Sequence, residues 1–405
     1  SWNPSWVWTY GPQGVPRLVS QTPPVPWLPS GMQTPFDQSN PLRSMLFICI
    51  PWLSCCAAWA GLATRRSVQI LLHAMALIGV LFAFVALRQH FLGSEKILGL
   101  FSTVDSRVGS EIPFWGTLIN SNHGAFFLIL ANGLCLGLFL SGWTRDVRLL
   151  RKGGGAWLLY LGLAILCTFA VLMAQARAAI FVVALQWIGF LVICSVFMVR
   201  SFGARGTAFP AALLFLIGIV GLTFIINPNV YERQKQEWFD TFRLMENPEM
   251  EARTHMVNIC KDMIADKPWL GHGGGSFRYL YFHYKKAYPE FVTEYDRWVR
   301  NPETGQMERR KITLWFQNAH VDFLEYLVEW GLLGSVFPLL ALLWLMWRGL
   351  RSLRGWDTGS ITILYSVGLV FLGTAIEFHL RIPLVLLATC LTLVLVSRQA
   401  ELQAR

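Results

Sequence analysis

Nine apolar runs dominate this chain, at approximately 43 to 62, 68 to 87, 122 to 140, 156 to 174, 178 to 199, 209 to 226, 323 to 347, 360 to 376 and 383 to 397. Crossing roughly 30 Å of hydrocarbon takes about 17–25 residues as a helix, and a backbone surrounded by lipid must satisfy its own hydrogen bonds. Composition excludes an ordinary soluble domain: only 14% of the 405 residues are charged, where soluble domains carry about a quarter. The expected fold is therefore an all-α polytopic membrane protein with about nine transmembrane helices. A Pro/Trp-rich extracytoplasmic segment fills 1–42, helices 43–226, a large extracytoplasmic loop with amphipathic helices 227–322, three further helices 323–397, and a cytoplasmic tail 398–405.

Arg65 and Arg66, then Arg145, Arg148, Arg151 and Lys152, then Arg200 and Arg205, then Arg348, Arg351 and Arg354, then Arg398 and Arg405 all fall on one side of these spans. Cytoplasmic loops are enriched in Lys and Arg, so that side reads as inside. The net charge of +10 comes largely from those loops, without the aromatic interleaving of a nucleic-acid groove, so no nucleic-acid partner is expected. Seven of eight cysteines sit in or beside apolar spans and only Cys260 lies in the long outer loop, which leaves no disulfide framework there. The chain starts at Ser1 with no signal-peptide pattern. An outside N-terminus without an export signal predicts an N-terminally truncated chain with more membrane helices upstream.

"QTPPVPWLPSGMQTPF" cannot form a regular helix, because proline fixes φ and lacks a donor, and predicts an extended strap with Trp side chains at the interface. In "EARTHMVNICKDMIAD", Met256, Ile259, Cys260, Met263 and Ile264 recur at spacings of three and four, the pattern of an amphipathic helix stopped by Pro268. Arg253 lies on or beside that face, and a helix lying on the membrane would aim it at the bundle.

Charged groups inside membrane spans are costly and usually functional. Here they gather at one face. His123 begins the third span, Arg177 sits in the short turn between the fourth and fifth, and Arg253 is on the amphipathic helix. His320, Asp322, Glu325 and Glu329 begin the seventh span, and Glu377, His379 and Arg381 form the turn between the eighth and ninth. A transporter places polar groups near the midplane, yet the inner half of nearly every span is apolar, with His73 the main exception. A reaction site at the outer leaflet fits better.

Two arginines suit an anion, since a guanidinium is permanently charged and binds phosphate oxygens bidentately. Arg177 can equally be a snorkelling interfacial residue and Arg253 a border arginine of its helix. His320 has the near-neutral pKa needed to take a proton from an attacking hydroxyl. Asp322, Glu325 and Glu329 form one helical stripe behind it, either orienting the imidazole or pairing with arginines of neighbouring helices. "GHGGGSFRYLY" lacks the Gly-Lys-Ser/Thr of a P-loop, and its glycines suit a tight turn. His272 and His283 have no further ligand at metal spacing, so neither a metal nor another cofactor is expected.

Four segments, "GTLINSNHGAFFLIL", "AQARAAIFV", "ARTHMVNICKDMIADKPWLGHGGGSF" and "NAHVDFLEYLVEWGLLG", together resemble the O-antigen ligase and O-antigen polymerase (Wzy-type) superfamily of multi-pass bacterial membrane glycosyltransferases. The likeness spans about residues 40 to 397. It places Arg177 and Arg253 on the two family arginines and His320 on the family histidine. Ala176 and Ala178 flank Arg177 where the family has Ser and Gly, and Val321 replaces the Asn that usually follows the histidine, with Asn318 as a nearby amide.

The resemblance implies an inverting, metal-independent glycosyltransferase of the bacterial cytoplasmic membrane whose site faces the periplasm or exterior. Its donor would be an undecaprenyl-pyrophosphate-linked glycan amid membrane lipids, and its acceptor a hydroxyl of lipid A core, protein or another glycan. Arg177 and Arg253 would hold the pyrophosphate and His320 act as general base, with Asn122, His123, Asn318, Glu325 and Arg381 in support. A Wzy-type polymerase is the alternative of the same class. A small-anion, bicarbonate-like transporter is the alternative of another.

Overall fold

The computed structural model describes residues 4–10, 16–22, 31–33, 41–94, 96–102, 104–105, 110–111, 114–148, 155–202, 248–289, 294–300, 307–313, 318–319, 321–351, 357–375, 377 and 379–404. Its helices are α1 (Pro41–Gly61), α2 (Arg65–Phe91), α3 (Ser121–Arg148), α4 (Leu158–Met173), α5 (Arg177–Phe202), α6 (Pro248–Asp266), α7 (Phe277–Tyr284), α8 (Asp322–Arg351), α9 (Thr358–Gly373) and α10 (Pro383–Ala404). Eight of them coincide with expected spans, and the remaining expected span, 209–226, lies outside the described residues. By length and composition α2, α3, α5, α8 and α10 can cross a membrane, while α1, α4 and α9 are shorter apolar helices.

Strands accompany the helices, which the all-α expectation did not include. In the Pro-rich segment, β1 (Pro4–Tyr10) pairs antiparallel with β2 (Pro16–Ser20) and parallel with β3 (Gly31–Gln33). Prolines stand first in β1 and β2, where a missing ladder donor is tolerated. Another hairpin, β4 (Glu294–Arg300) with β5 (Met307–Thr313), runs in register from Glu294↔Thr313 to Arg300↔Met307 in the long segment before α8.

The hub of the bundle is α3, buried over nearly its whole length and packed against α2, α4, α5 and α9. Small residues make that burial possible. A β-carbon on Gly133 would overlap the Ser366 side chain, one on Gly137 would overlap Ile363, and one on Gly359 would overlap Ser141, so α3 and α9 cross at backbone contact. Without a hydrophobic drive between helices in lipid, such close packing and interhelical hydrogen bonds carry the association. Asn132 Nδ2 donates to Gln186 Oε1 at 2.7 Å and Gln186 Nε2 to the Ile129 carbonyl at 2.9 Å, joining α3 to α5.

Contacts fix the two ends of the bundle. At one, Ser141 Oγ meets Asp357 Oδ1 at 3.3 Å, and Arg65 donates to the Leu402 and Gln403 carbonyls at 2.8 and 3.1 Å. A cation there compensates the free carbonyls and negative dipole end of α10. At the other end Asn122 Nδ2 donates to Glu377 Oε1 at 3.1 Å.

The long segment before α8 builds its own core. Met256, Ile259, Cys260 and Met263 form the expected apolar stripe of α6, but they are buried against Phe277, Leu280 and Tyr281 of α7 and against Ala319 and Val328. The stripe therefore faces protein, which corrects the expectation of a helix lying on the membrane. Tyr284 and Tyr288 donate to Asp266 and Asp262, both at 2.6 Å, and fasten α7 and the turn after it to α6.

One expected span differs in form. α8 breaks at Gly331, which has φ 62° and ψ −174°. The loop after α6 fills the break: His272 N donates to the Val328 carbonyl (2.8 Å), Gly273 N to Glu329 (2.9 Å), Leu332 N to Pro268 (2.8 Å) and Leu333 N to Trp269 (3.0 Å). Four backbone groups that the interrupted helix leaves open are thereby satisfied. Residues 322–330 form a first limb among the α6–α7 core, and 332–351 a second limb of about 30 Å.

Candidate functional site

At the end of the bundle marked by Asn122 and Glu377, the first limb of α8 packs against the turn between α9 and α10. Arg381 lies in that turn. Its Nη1 is 2.8 Å from Glu329 Oε2, its Nη2 is 3.3 Å from Glu325 Oε1, and its guanidinium carbon sits 4.5 Å above the Tyr326 ring. Both carboxylates are almost fully buried, and Arg381 is partly exposed. Burial opposes its charge, but the two carboxylates outweigh burial and hold the guanidinium pKa above its ordinary value. Spacings of three and four place Asp322, Glu325 and Glu329 on one face of the limb, and that face meets the arginine.

The same carboxylates reach backbone. Glu325 Oε2 accepts from Ala319 N at 2.8 Å, and Asp322 Oδ2 accepts from Leu380 N at 3.0 Å. Asp322 N in turn donates to the Thr374 carbonyl at 3.3 Å. The segment before α8 and the α9–α10 turn are thus joined from both sides.

α3 enters this end through Asn120, whose Oδ1 accepts from Asn122 N at 2.8 Å in the manner of an N-cap. His123 is buried beside His379. The His379 ring stacks on Phe126 with centroids 3.9 Å apart, and its Nε2 is 2.9 Å from the Val370 carbonyl. Burial, partly opposed by that hydrogen bond and reinforced by His123, pushes His379 down to about 4, so it is neutral near pH 7.

The expected site residues fall into three groups. Asn122, His123, Glu325 and Arg381 are brought into this polar cluster, with Asn318 adjoining Ala319 at its edge. Arg177 opens α5 and is exposed, after a turn in which Gln175 takes the left-handed conformation at φ 54°. No acid occupies the first turn of α5. Arg253 lies on α6 seven positions before Cys260, which is close to a full number of turns and places it on the Cys260 side. The Arg253 side chain and His320 lie outside the described residues.

Two participants escaped the sequence reading. Arg278, in the first turn of α7, is near enough to Glu325 for its charge to act there, and Tyr326 offers its face to Arg381. The signal for Arg278 was a lone cation two residues after the glycine run's serine. His272 is structural: its Nε2 is 2.9 Å from the Met263 carbonyl, and burial pushes it down to about 4.

A search of the curated proteins found no match. Residues 161–339 match the family model Wzy_C, described as O-antigen ligase. The matched stretch runs from α4 into the second limb of α8, and so contains Arg177, Arg253, His320 and Glu325. The match supports O-antigen ligase or polymerase-type glycosyl transfer in general, and it lends nothing to anion transport. Over residues 161–339, the chain is thus similar to the O-antigen ligase family.

Proposed function

We propose that the chain moves a glycan from an undecaprenyl-pyrophosphate donor to an acceptor hydroxyl, as a ligase, at the outer face of the bacterial cytoplasmic membrane. The observation that carries this reading is Arg177. It stands exposed at the N-terminus of α5, where the helix dipole is already positive and the first turn holds no acid. A cation at that end costs about 0.3–1 kcal/mol, which a bound anion relieves. Arg253, on the Cys260 side of α6, is the second pyrophosphate ligand, and two bidentate guanidiniums neutralise the leaving group without a metal.

His320 takes the proton of the acceptor hydroxyl as its oxygen attacks the anomeric carbon. The carbon–oxygen bond to the pyrophosphate breaks with its electron pair moving onto the phosphate, so a single displacement inverts the anomeric centre. Nucleotide sugars are made in the cytoplasm, and an outer-face transferase needs its activated donor delivered by lipid. Lipid A core, a protein or another glycan each offers a suitable hydroxyl.

The test is glycan analysis of a deletion strain carrying His320→Ala, Arg177→Ala or Arg253→Ala. Accumulated lipid-linked long glycan is expected, and accumulated single repeat units would instead indicate a polymerase. Normal transfer in all three strains, at normal protein abundance, overturns the assignment.

A further inference from the structure

Asn318, Ala319 and Val321 lie in no helix or strand, and α8 begins only at Asp322. A short connection of this kind holds a reactive group in place only if both of its ends are held. We propose that Glu325, Asp322 and Arg381 are positioning residues that clamp the chain on both sides of His320 onto the α9–α10 turn. This rests on the reading of His320 as general base.

On the side before His320, Glu325 Oε2 holds Ala319 N at 2.8 Å. On the side after it, Asp322 gives its N–H to the Thr374 carbonyl at 3.3 Å and takes Leu380 N at 3.0 Å. Arg381 ties the two halves together. It follows Leu380 in sequence, binds the other oxygen of Glu325 at 3.3 Å, and is itself fixed by Glu329 at 2.8 Å and by the Tyr326 face at 4.5 Å. Both Glu325 oxygens are thereby engaged within the protein, so this acid acts through the backbone at Ala319 and not on the acceptor.

Buried ion pairs seldom stabilise more than an apolar replacement of the same shape, and a fixed geometry is what they can supply instead. Catalysis by a general base depends steeply on such geometry, since a displacement of about 1 Å costs roughly 100-fold in rate.

The experiment uses the full chain in lipid nanodiscs, with lipid-linked glycan and acceptor, comparing Glu325→Ala, Glu325→Gln and Arg381→Lys with the native protein. Two quantities are read: kcat and KM, and backbone hydrogen exchange across residues 317–323. Glu325→Ala should lower kcat by about 100-fold with KM for the donor unchanged, and should speed exchange at 318–322 while α6 and α10 keep their protection. Glu325→Gln keeps an oxygen for Ala319 N and should retain most of both properties, and Arg381→Lys should fall between. Unchanged exchange at 318–322 in Glu325→Ala, a loss confined to KM, or loss of protection throughout the chain each overturns the clamp. If the native protein transfers nothing, the functional reading falls while the exchange result still decides the clamp.

Discussion

Gly271 and Gly331 meet backbone against backbone: a β-carbon on Gly271 would lie 2.6 Å from the Gly331 nitrogen, and one on Gly331 would lie 2.6 Å from the Gly271 nitrogen. This contact seats the loop after α6 in the break of α8. The break in turn keeps Glu325 and Glu329 with the α6–α7 core, ahead of the membrane-length limb.

Gly331→Ala should therefore be strongly destabilising. Its φ of 62° with ψ of −174° is a conformation nearly reserved for glycine, with a cost of about 1–3 kcal/mol for other residues before any overlap is counted. Gly271→Ala meets Glu329 backbone as well as Gly331 and should behave similarly. Gly368, within α9, has nothing within 4 Å of its would-be β-carbon, and its alanine variant is the control. Thermal unfolding in detergent should show lower Tm for the first two and an unchanged or higher Tm for the third.

Sequence periodicity carried most of the helical frame, because apolar runs of membrane length have few other solutions. It located the stripe of α6 correctly but assigned it to lipid, since an amphipathic face does not say what covers it. The break at Gly331 was hidden because "EYLVEWGLLG" reads as continuous apolar helix. What interrupts it is a loop about sixty residues earlier, a contact no local pattern carries. The polar cluster around Arg381 was legible as a set of charges at one face. The pairing of Arg381 with Glu325 and Glu329 was not, because opposite charges on separate helices have many possible partners until packing selects one.

Arg381→Ala should destabilise more than its partial exposure suggests. It leaves Glu325 and Glu329 buried without a counter-charge, and breaking a buried pair from one side costs about 3–5 kcal/mol. Replacing all three residues by apolar groups of similar volume should recover most of that loss. Unfolding midpoints of the single and triple variants check this, and a triple variant no better than Arg381→Ala contradicts it.

Stability should fall on acidification through two histidines. His272 and His379 titrate near about 4 in the fold, mainly because burial disfavours their charged form, against about 6.5 in an unfolded chain. Below about 6.5 the unfolded chain binds protons that the fold refuses, so each histidine removes up to about 1.4 kcal/mol per pH unit until its folded pKa is reached. Above about 6.5 neither contributes a slope. Unfolding of His272→Gln and His379→Asn between about pH 7.5 and pH 5 should each show a shallower decline than the native chain, and equal slopes would refute the burial argument.

The α3–α5 junction offers a measure of what a hydrogen bond contributes inside this bundle. Asn132 Nδ2 donates to Gln186 Oε1 at 2.7 Å, while Gln186 Nε2 keeps its own bond to the Ile129 carbonyl. Among the described residues Asn132 Oδ1 is buried without a partner, so the amide forgoes part of its capacity. Interhelical bonds of this kind average about 0.6 kcal/mol and reach about 1.7 in double-mutant cycles, because a chain unfolded within the membrane also finds partners. A cycle through Asn132→Ala, Gln186→Ala and the double variant should give a coupling in that range, read from unfolding in detergent. A coupling near zero would mean that α3 and α5 are held by glycine-mediated packing alone. In that case Gly133→Leu, which drives a side chain from α3 into Ser366 and the Gln186 amide of α5, should cost far more than either polar variant.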